Sequence, residues 1–524
     1  MSTLSVRASL VGVAALLAFA AALQDGSSVS WPSLEFRFSV KRVATQIHGY
    51  SDFSVFANPR VLSRATTHVL YDTFTSFTED NTVFNYSLVD SVAYVCRECQ
   101  AQRGDLLVSC MDADTLPPIN SIVTALCDAK PASKITAGDG SVIPCTSGYS
   151  YKVSVDGVDF GMCYYGSRGF KLFGSDMDIK VEYKKKRLPI QAPKLDDRAK
   201  TDCEQVAMPS PVTSIGESFL TGKPVSAEER ILEKAFGVFL NDQCSCQSTP
   251  RPCLFIHGLG VHEEKEENVD SFAYWGNLTG HTPCCTSIKY TKLDTMNSSW
   301  TDKLLQEKVC DRALSVSNSS YGSTIADTII ITHSMGGLMV AGAIANKRCK
   351  LANSTTWVTA GSPLLGSMAS DYVQQSCKNN TNLLMETYAD RTRLCPAGKG
   401  IKSIVYQNES FCSLNLNTQY KAAQKAYQRH VYAAMCSNSY IGVLSSYQLR
   451  FWVAGRLIPH KSLENDGVVE FSSCAGGIPV SKFGDDYRNR FYVTGLNHFD
   501  VSFKAGDSLL DNSKMPVKWF ECLL

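Results

Sequence analysis

Ile329-Ile330-Ile331-Thr332-His333-Ser334-Met335-Gly336-Gly337-Leu338-Met339-Val340-Ala341-Gly342-Ala343-Ile344-Ala345 is the stretch on which the fold turns. Its first three residues form a short continuous apolar run, the pattern of a strand buried on both faces of a parallel sheet. Small residues follow, then a long apolar segment of helical composition. A strand, a tight turn and a helix in that order leave Ser334 at the turn, its hydroxyl at the positive end of the helix, where developing negative charge is stabilised. Gly336 leaves room for a strained backbone and close helix-to-strand packing. A serine that merely caps a helix would require neither the preceding strand nor the glycines.

Upstream, Leu254-Phe255-Ile256 is a second buried-strand run, ending in His257-Gly258-Leu259-Gly260. Arg230 to Leu240 has helical spacing through Ile231, Leu232, Ala235, Phe236 and Phe239. Strands alternating with helical stretches predict an α/β layered domain over residues 227–524. The elbow, with Leu254 to Gly260 before it, resembles the α/β-hydrolase superfamily, and within it the lipases and esterases whose elbow reads His-Ser-Met-Gly-Gly. Thr332 stands where the usual first glycine of Gly-x-Ser-x-Gly would be. By position, the resemblance implies that the backbone N–H groups of Leu259 and Met335 line an oxyanion hole. It also implies an inserted cap at about 364–448 over the catalytic face, lipid esters as substrates and no cofactor.

A serine hydroxyl is a poor nucleophile until a histidine takes its proton, and that histidine needs a carboxylate to orient it. The expected chain order is serine, acid, histidine. Only His430, His460 and His498 follow Ser334. His430 sits in a helical stretch with Lys421, Lys425 and Arg429, the composition of a solvated face, and His460 precedes the acid candidate. That candidate is Asp466, in Asn465-Asp466-Gly467-Val468-Val469, expected in the loop after a strand over Leu449 to Ala454. His498 follows the strand-like Phe491-Tyr492-Val493 and a glycine-containing loop. The rival acids Asp485 and Asp486 read as turn residues, and His257, with no ligand spacing around it, reads as structural. The site set is therefore Ser334, Asp466 and His498, with no metal.

Residues 30–183 have a different grammar. Leu34 to Val40, Thr82 to Leu88, Tyr151 to Val155 and Ile179 to Tyr183 alternate with period two between Gly, Asp and Asn turns, which predicts a smaller β-rich, disulfide-stapled domain. One short helix is expected within Pro118 to Ala129. The basic run Lys184 to Arg187 and two prolines then open a linker, 184–226, where processing of the chain is one reading.

The first 22 residues read as a signal peptide: Arg7 precedes an apolar run from Leu10 to Leu23 that ends in small residues. Export suits the 20 cysteines among 524 residues, which divide into six up to Cys163 and fourteen from Cys203, so that each group could close its bridges internally. Seven sequons, at Asn85, Asn277, Asn297, Asn318, Asn353, Asn379 and Asn408, agree with that route. A balance of 51 basic against 50 acidic residues offers no electrostatic footprint for nucleic acid. No later stretch is long enough for a transmembrane segment.

The combined expectation is a secreted ester or lipid hydrolase with peripheral contact to a lipid interface. Acyl transfer or thioester cleavage by the same triad, and an inactive binding or adhesion protein, are the competing readings.

Overall fold

The computed structural model describes residues 30–524 apart from 64–65, 98–106, 112–114, 147–148, 195–202, 227–235, 241–243 and 379–393. The signal peptide, the Asn379 sequon and Leu383 to Met385 of the expected cap lie outside the described residues.

The N-terminal region is one long antiparallel sheet with the spatial order Lys130–Ala137, Ser150–Val155, Val158–Tyr164, Phe170–Phe173, Met177–Lys184, Ser33–Val40, Asp52–Ser63, Thr67–Glu79, Thr82–Val89, Val92–Arg97, Leu107–Met111. Ser33–Val40 pairs with Met177–Lys184, Leu34 opposite Tyr183 and Phe38 opposite Ile179, which joins the two ends of the module. Leu34, Phe36 and Phe38 share one buried face, as period two requires. The expected short helix is Ile119–Cys127, and it lays Ile119, Ile122, Val123 and Leu126 onto the same core.

Two stretches depart from expectation. Within the expected linker, Thr213 caps a helix, Ser214–Thr221, that buries Phe219 and Leu220 in the first core. Ser210–Pro211 pairs with Thr67–Glu79. Of the helical stretch expected over Arg230 to Leu240, residues 230–235 lie outside the described residues, and the remainder is a strand, Phe236–Leu240, parallel to Lys130–Ala137. Val238 and Leu240 point inward while Phe239 is 68% exposed, so the segment follows a period of two. Cysteine parity fails for a similar reason, since it says nothing of which Cβ atoms meet. Cys110–Cys203 crosses between the two groups, and Cys127 and Cys412 are free thiols.

The second sheet has seven parallel strands. In chain order these are β1 (Arg251–Ile256), β2 (Cys285–Tyr290), β3 (Ile329–His333), β4 (Thr356–Ala360), β5 (Val431–Ser437), β6 (Phe483–Gly484) and β7 (Phe491–Thr494), arranged β2-β1-β3-β4-β5-β7-β6. Alternate residues enter opposite layers, which is why the strands read as unbroken apolar runs. Leu254, Ile256, Ile330 and Trp357 pack with the helices Lys303–Leu314, Met335–Ala345 and Leu414–His430. Phe255, Ile329, Ile331 and Val358 pack with Trp275, Phe503, Trp519 and Phe520.

Part of the stretch expected as an inserted cap, about 364–448, lies in the α/β layers instead. Leu414–His430 carries Tyr420, Ala423 and Tyr427 as a core-facing stripe, and β5 lies between β4 and β7. Both belong to the α/β layers. The helix ends at His430, and β5 is built largely on Ala433, Ala434, Met435 and Cys436, none of them β-branched or aromatic, which gives a weak strand signal. Earlier in that stretch, around Cys377–Cys395 and the helix Lys399–Ser403, Ile401 packs against Met296 and Leu259. Leu449 to Ala454 lies in a helix, Gln448–Leu457, not a strand; the segment has one β-branched residue and several strong helix formers.

The two sheets are joined through Arg42, whose guanidinium contacts Asp507 at 3.1 Å and Glu521 at 2.6 Å, and through Lys518, 2.8 Å from Asp176.

Candidate active site

Ser334 sits between β3 and the helix Met335–Ala345 with φ 55° and ψ −132°. Such a backbone costs a non-glycine residue about 1–3 kcal/mol and persists only where the surroundings enforce it. Here the Ser334 N–H donates to Ala360 O at 2.9 Å, and the Gly337 N–H donates to Ser334 O at 3.1 Å. A Cβ on Gly336 would lie 2.5 Å from Ile256 O, and one on Gly337 would lie 2.1 Å from Ser362 Oγ. Both glycines are therefore needed for the helix to start between β1 and the loop after β4. Thr332 fits because it is still in β3: its Oγ1 accepts from Trp357 Nε1 at 3.1 Å and donates to Val358 O at 3.3 Å.

The three separated candidates meet. His498 Nε2 is 2.9 Å from Ser334 Oγ, and His498 Nδ1 is 2.6 Å from Asp466 Oδ2. All three residues are buried, Ser334 and His498 at 6% exposure and Asp466 at 1%. The other carboxylate oxygen, Asp466 Oδ1, accepts from the N–H groups of Val468 at 2.9 Å and Val469 at 2.6 Å. The His498 N–H donates to Asp466 O at 2.9 Å. A serine hydroxyl with an imidazole acceptor, itself held by a carboxylate, is a geometry for nucleophilic attack with proton transfer. The other downstream histidines lie elsewhere. His430 ends a helix, and His460 is buried against Glu470 at 2.8 Å. Asp486 accepts from Arg488 in a turn.

The loop after β1 passes over Ser334. The Gly258 carbonyl accepts from His257 Nδ1 at 2.8 Å and Thr295 Oγ1 at 2.9 Å. His257 Nε2 accepts from the Leu293 N–H at 3.0 Å, and burial pushes its imidazole down to about 4, so it is a neutral internal brace. Leu259 and Met335 border the insertion: Met335 Sδ is 3.9 Å from Ser403 Oγ, and a Cβ on Gly400 would meet Leu259 Cδ1.

Two residues given no role by the sequence reading also reach the site. Tyr274 Oη is 2.6 Å from His333 Nδ1 and accepts from the Gly258 N–H at 3.0 Å, while His333 Nε2 is 2.9 Å from His498 O. His333 was visible within the elbow, but nothing local indicates its partners, which come from elsewhere in the chain.

Two residues after His498, burial pushes the Asp500 carboxyl up to about 7, against donors from Val443 N–H at 3.0 Å and Asn497 Nδ2 at 2.6 Å on Oδ2. Among the described residues its buried Oδ1 has no partner. The folded value lies above the unfolded value, so this group's contribution to stability is full below about 4 and is lost as pH rises through about 7. Asp500→Asn, which mimics the protonated form, should raise the melting temperature relative to wild type at pH 8 and lose that advantage at pH 4; thermal melts at the two pH values check this.

No family model and no curated protein matches this chain. Solved structures do show likeness. A Staphylococcus hyicus lipase aligns at 16% identity and a TM-score of 0.27, covering 52% of this chain and 95% of that one. A lipase-esterase related protein from Clostridium acetobutylicum aligns at 14% and 0.21, covering 38% and 78%. The Vlm2 thioesterase domain aligns at 9% and 0.18, covering 52% and 93%. At such TM-scores these similarities transfer no residue roles to this chain.

Proposed function

We propose that this protein is a secreted serine hydrolase that cleaves carboxylic esters, lipid esters foremost, through an acyl-enzyme on Ser334. The observation that carries this reading is the unbroken line from Asp466 Oδ2 through His498 to Ser334 Oγ, at 2.6 and 2.9 Å. Ser334 Oγ attacks the ester carbonyl carbon while its proton passes to His498 Nε2. The bond to the leaving oxygen breaks as His498 returns that proton to the departing alcohol. Water, deprotonated by the same nitrogen, then attacks the acyl-enzyme and releases the acid. Asp466 accepts from Nδ1 throughout and balances the imidazolium.

Two backbone N–H groups are suited to the oxyanion. Met335 opens its helix, so its N–H has no acceptor within that helix. In a trans peptide the N–H points opposite the carbonyl, so the two donors that hold Gly258 O also aim the Leu259 N–H. Each such donor is worth about 3–4 kcal/mol in comparable sites.

Eight disulfides among the described residues support an oxidising compartment, and no helix among them is long and apolar enough to cross a membrane. Asn277, Asn297, Asn318, Asn353 and Asn408 are exposed and open to glycosylation, whereas Asn85 lies in a strand with a buried Oδ1.

A fluorophosphonate probe should label the wild type and fail to label Ser334→Ala. Hydrolysis of short- and long-chain p-nitrophenyl esters should vanish in the same variant. Equal labelling of both proteins would overturn the reading.

A further inference from the structure

His333 and Tyr274 form a continuous hydrogen-bonded chain whose donor directions are fixed by chemistry. The His498 carbonyl can only accept, so His333 Nε2, 2.9 Å away, carries the hydrogen. The Nδ1 of a neutral imidazole is then bare and receives the Tyr274 hydroxyl hydrogen at 2.6 Å. Tyr274 Oη in turn accepts the Gly258 N–H at 3.0 Å. His333 is kept neutral by burial, first, and by the adjacent His498, whose ring centroid lies 4.8 Å away. A second cation there would oppose the imidazolium that forms on His498 during acylation.

We propose that Tyr274 and His333 are positioning residues for the reaction: their relay ties the oxyanion loop at Gly258 to the backbone of His498, so that the base and the oxyanion donors hold one geometry. This rests on the triad reading above. Neither side chain hydrogen-bonds Ser334 itself; each acts through a backbone group, the Gly258 N–H and the His498 carbonyl. The His498 backbone is thereby held at both ends, its N–H by Asp466 O at 2.9 Å and its carbonyl by His333. Tyr274→Phe removes one oxygen and leaves both the Gly258 N–H and His333 Nδ1 without a partner. His333→Leu removes the donor to His498, whereas His333→Gln can still present an N–H to that carbonyl.

The test is steady-state hydrolysis of a short-chain p-nitrophenyl ester by the full-length protein, with kcat and KM resolved and Ser334→Ala run alongside. Tyr274→Phe and His333→Leu should each lower kcat about 10- to 100-fold with KM within about twofold, since misplacement of catalytic groups acts on the transition state. His333→Gln should recover to within about threefold of wild type, and the Tyr274→Phe/His333→Leu double variant should be no worse than the poorer single, as expected of one coupled unit. Unchanged kcat in Tyr274→Phe, equal loss in the Gln and Leu variants, or multiplicative losses in the double variant would each overturn the relay. Tyr274→Phe, a one-atom change, decides the matter if His333→Leu does not fold. Full activity in Ser334→Ala would instead overturn the triad reading itself.

Discussion

Asp466→Asn should fold like the wild type, bind substrate with little change in KM, and turn over on the order of 10⁴-fold more slowly. The expectation follows from the partners of the two carboxylate oxygens. Oδ1 accepts two backbone N–H groups, from Val468 and Val469, so an amide NH₂ turned that way would face two donors. The asparagine must therefore keep its oxygen on that side and turn its NH₂ toward His498 Nδ1, 2.6 Å away. Nδ1 then becomes the acceptor, the hydrogen moves to Nε2, and the ring presents a donor to Ser334 Oγ where it had presented a base. Steady-state kinetics with a chromogenic ester, beside a thermal melt that shows an intact fold, check the result. A variant with kcat within tenfold of wild type would mean that Asp466 does not set the tautomer of His498.

The second large effect is expected at Gly258. A Cβ there would lie 2.4 Å from Ser334 Cβ, 2.9 Å from Ser334 Oγ and 2.9 Å from Tyr274 Oη. Ser334 cannot retreat, because its backbone is fixed between β3 and the helix, and the Gly258 carbonyl is held by His257 and Thr295. Gly258→Ala must displace either the serine hydroxyl or the loop that aims the Leu259 N–H. Loss of about 10²- to 10³-fold in kcat is expected, the scale of losing one oxyanion donor. Gly260, two residues on, is a control: no atom lies within 4 Å of its added Cβ, although its φ of +109° makes the substitution strained. Gly260→Ala should cost stability in a melt more than it costs kcat.

The parts of the site differ in how far they could be read from the chain alone. The elbow was legible because strand, turn and helix are contiguous over residues 329–345, and each carries a local signature. Asp466 and His498 could be narrowed by order and by their loops, although the strand expected before Asp466 is a helix. Tyr274 and His333 left no periodic or spacing signal, because their partners lie 59 and 165 residues apart in sequence. In the fold, Phe236–Leu240 is a strand although its apolar residues also suit a helix face, since so short a segment matches both periods.

The chemistry-bearing residue types and the two classes of sheet were set by local patterns: period two in the first region, unbroken apolar runs in the second, and a serine between a strand and glycines. Which partners those elements found was decided by tertiary packing. β5 entered the parallel sheet beside β4 and β7, Cys110 met Cys203 across the expected boundary, and the segment 210–221 joined the first core. Local signals come from steric and solvation preferences within a few residues, whereas pairing across the chain is selected by the burial and hydrogen bonding of the whole assembly, which no short window contains.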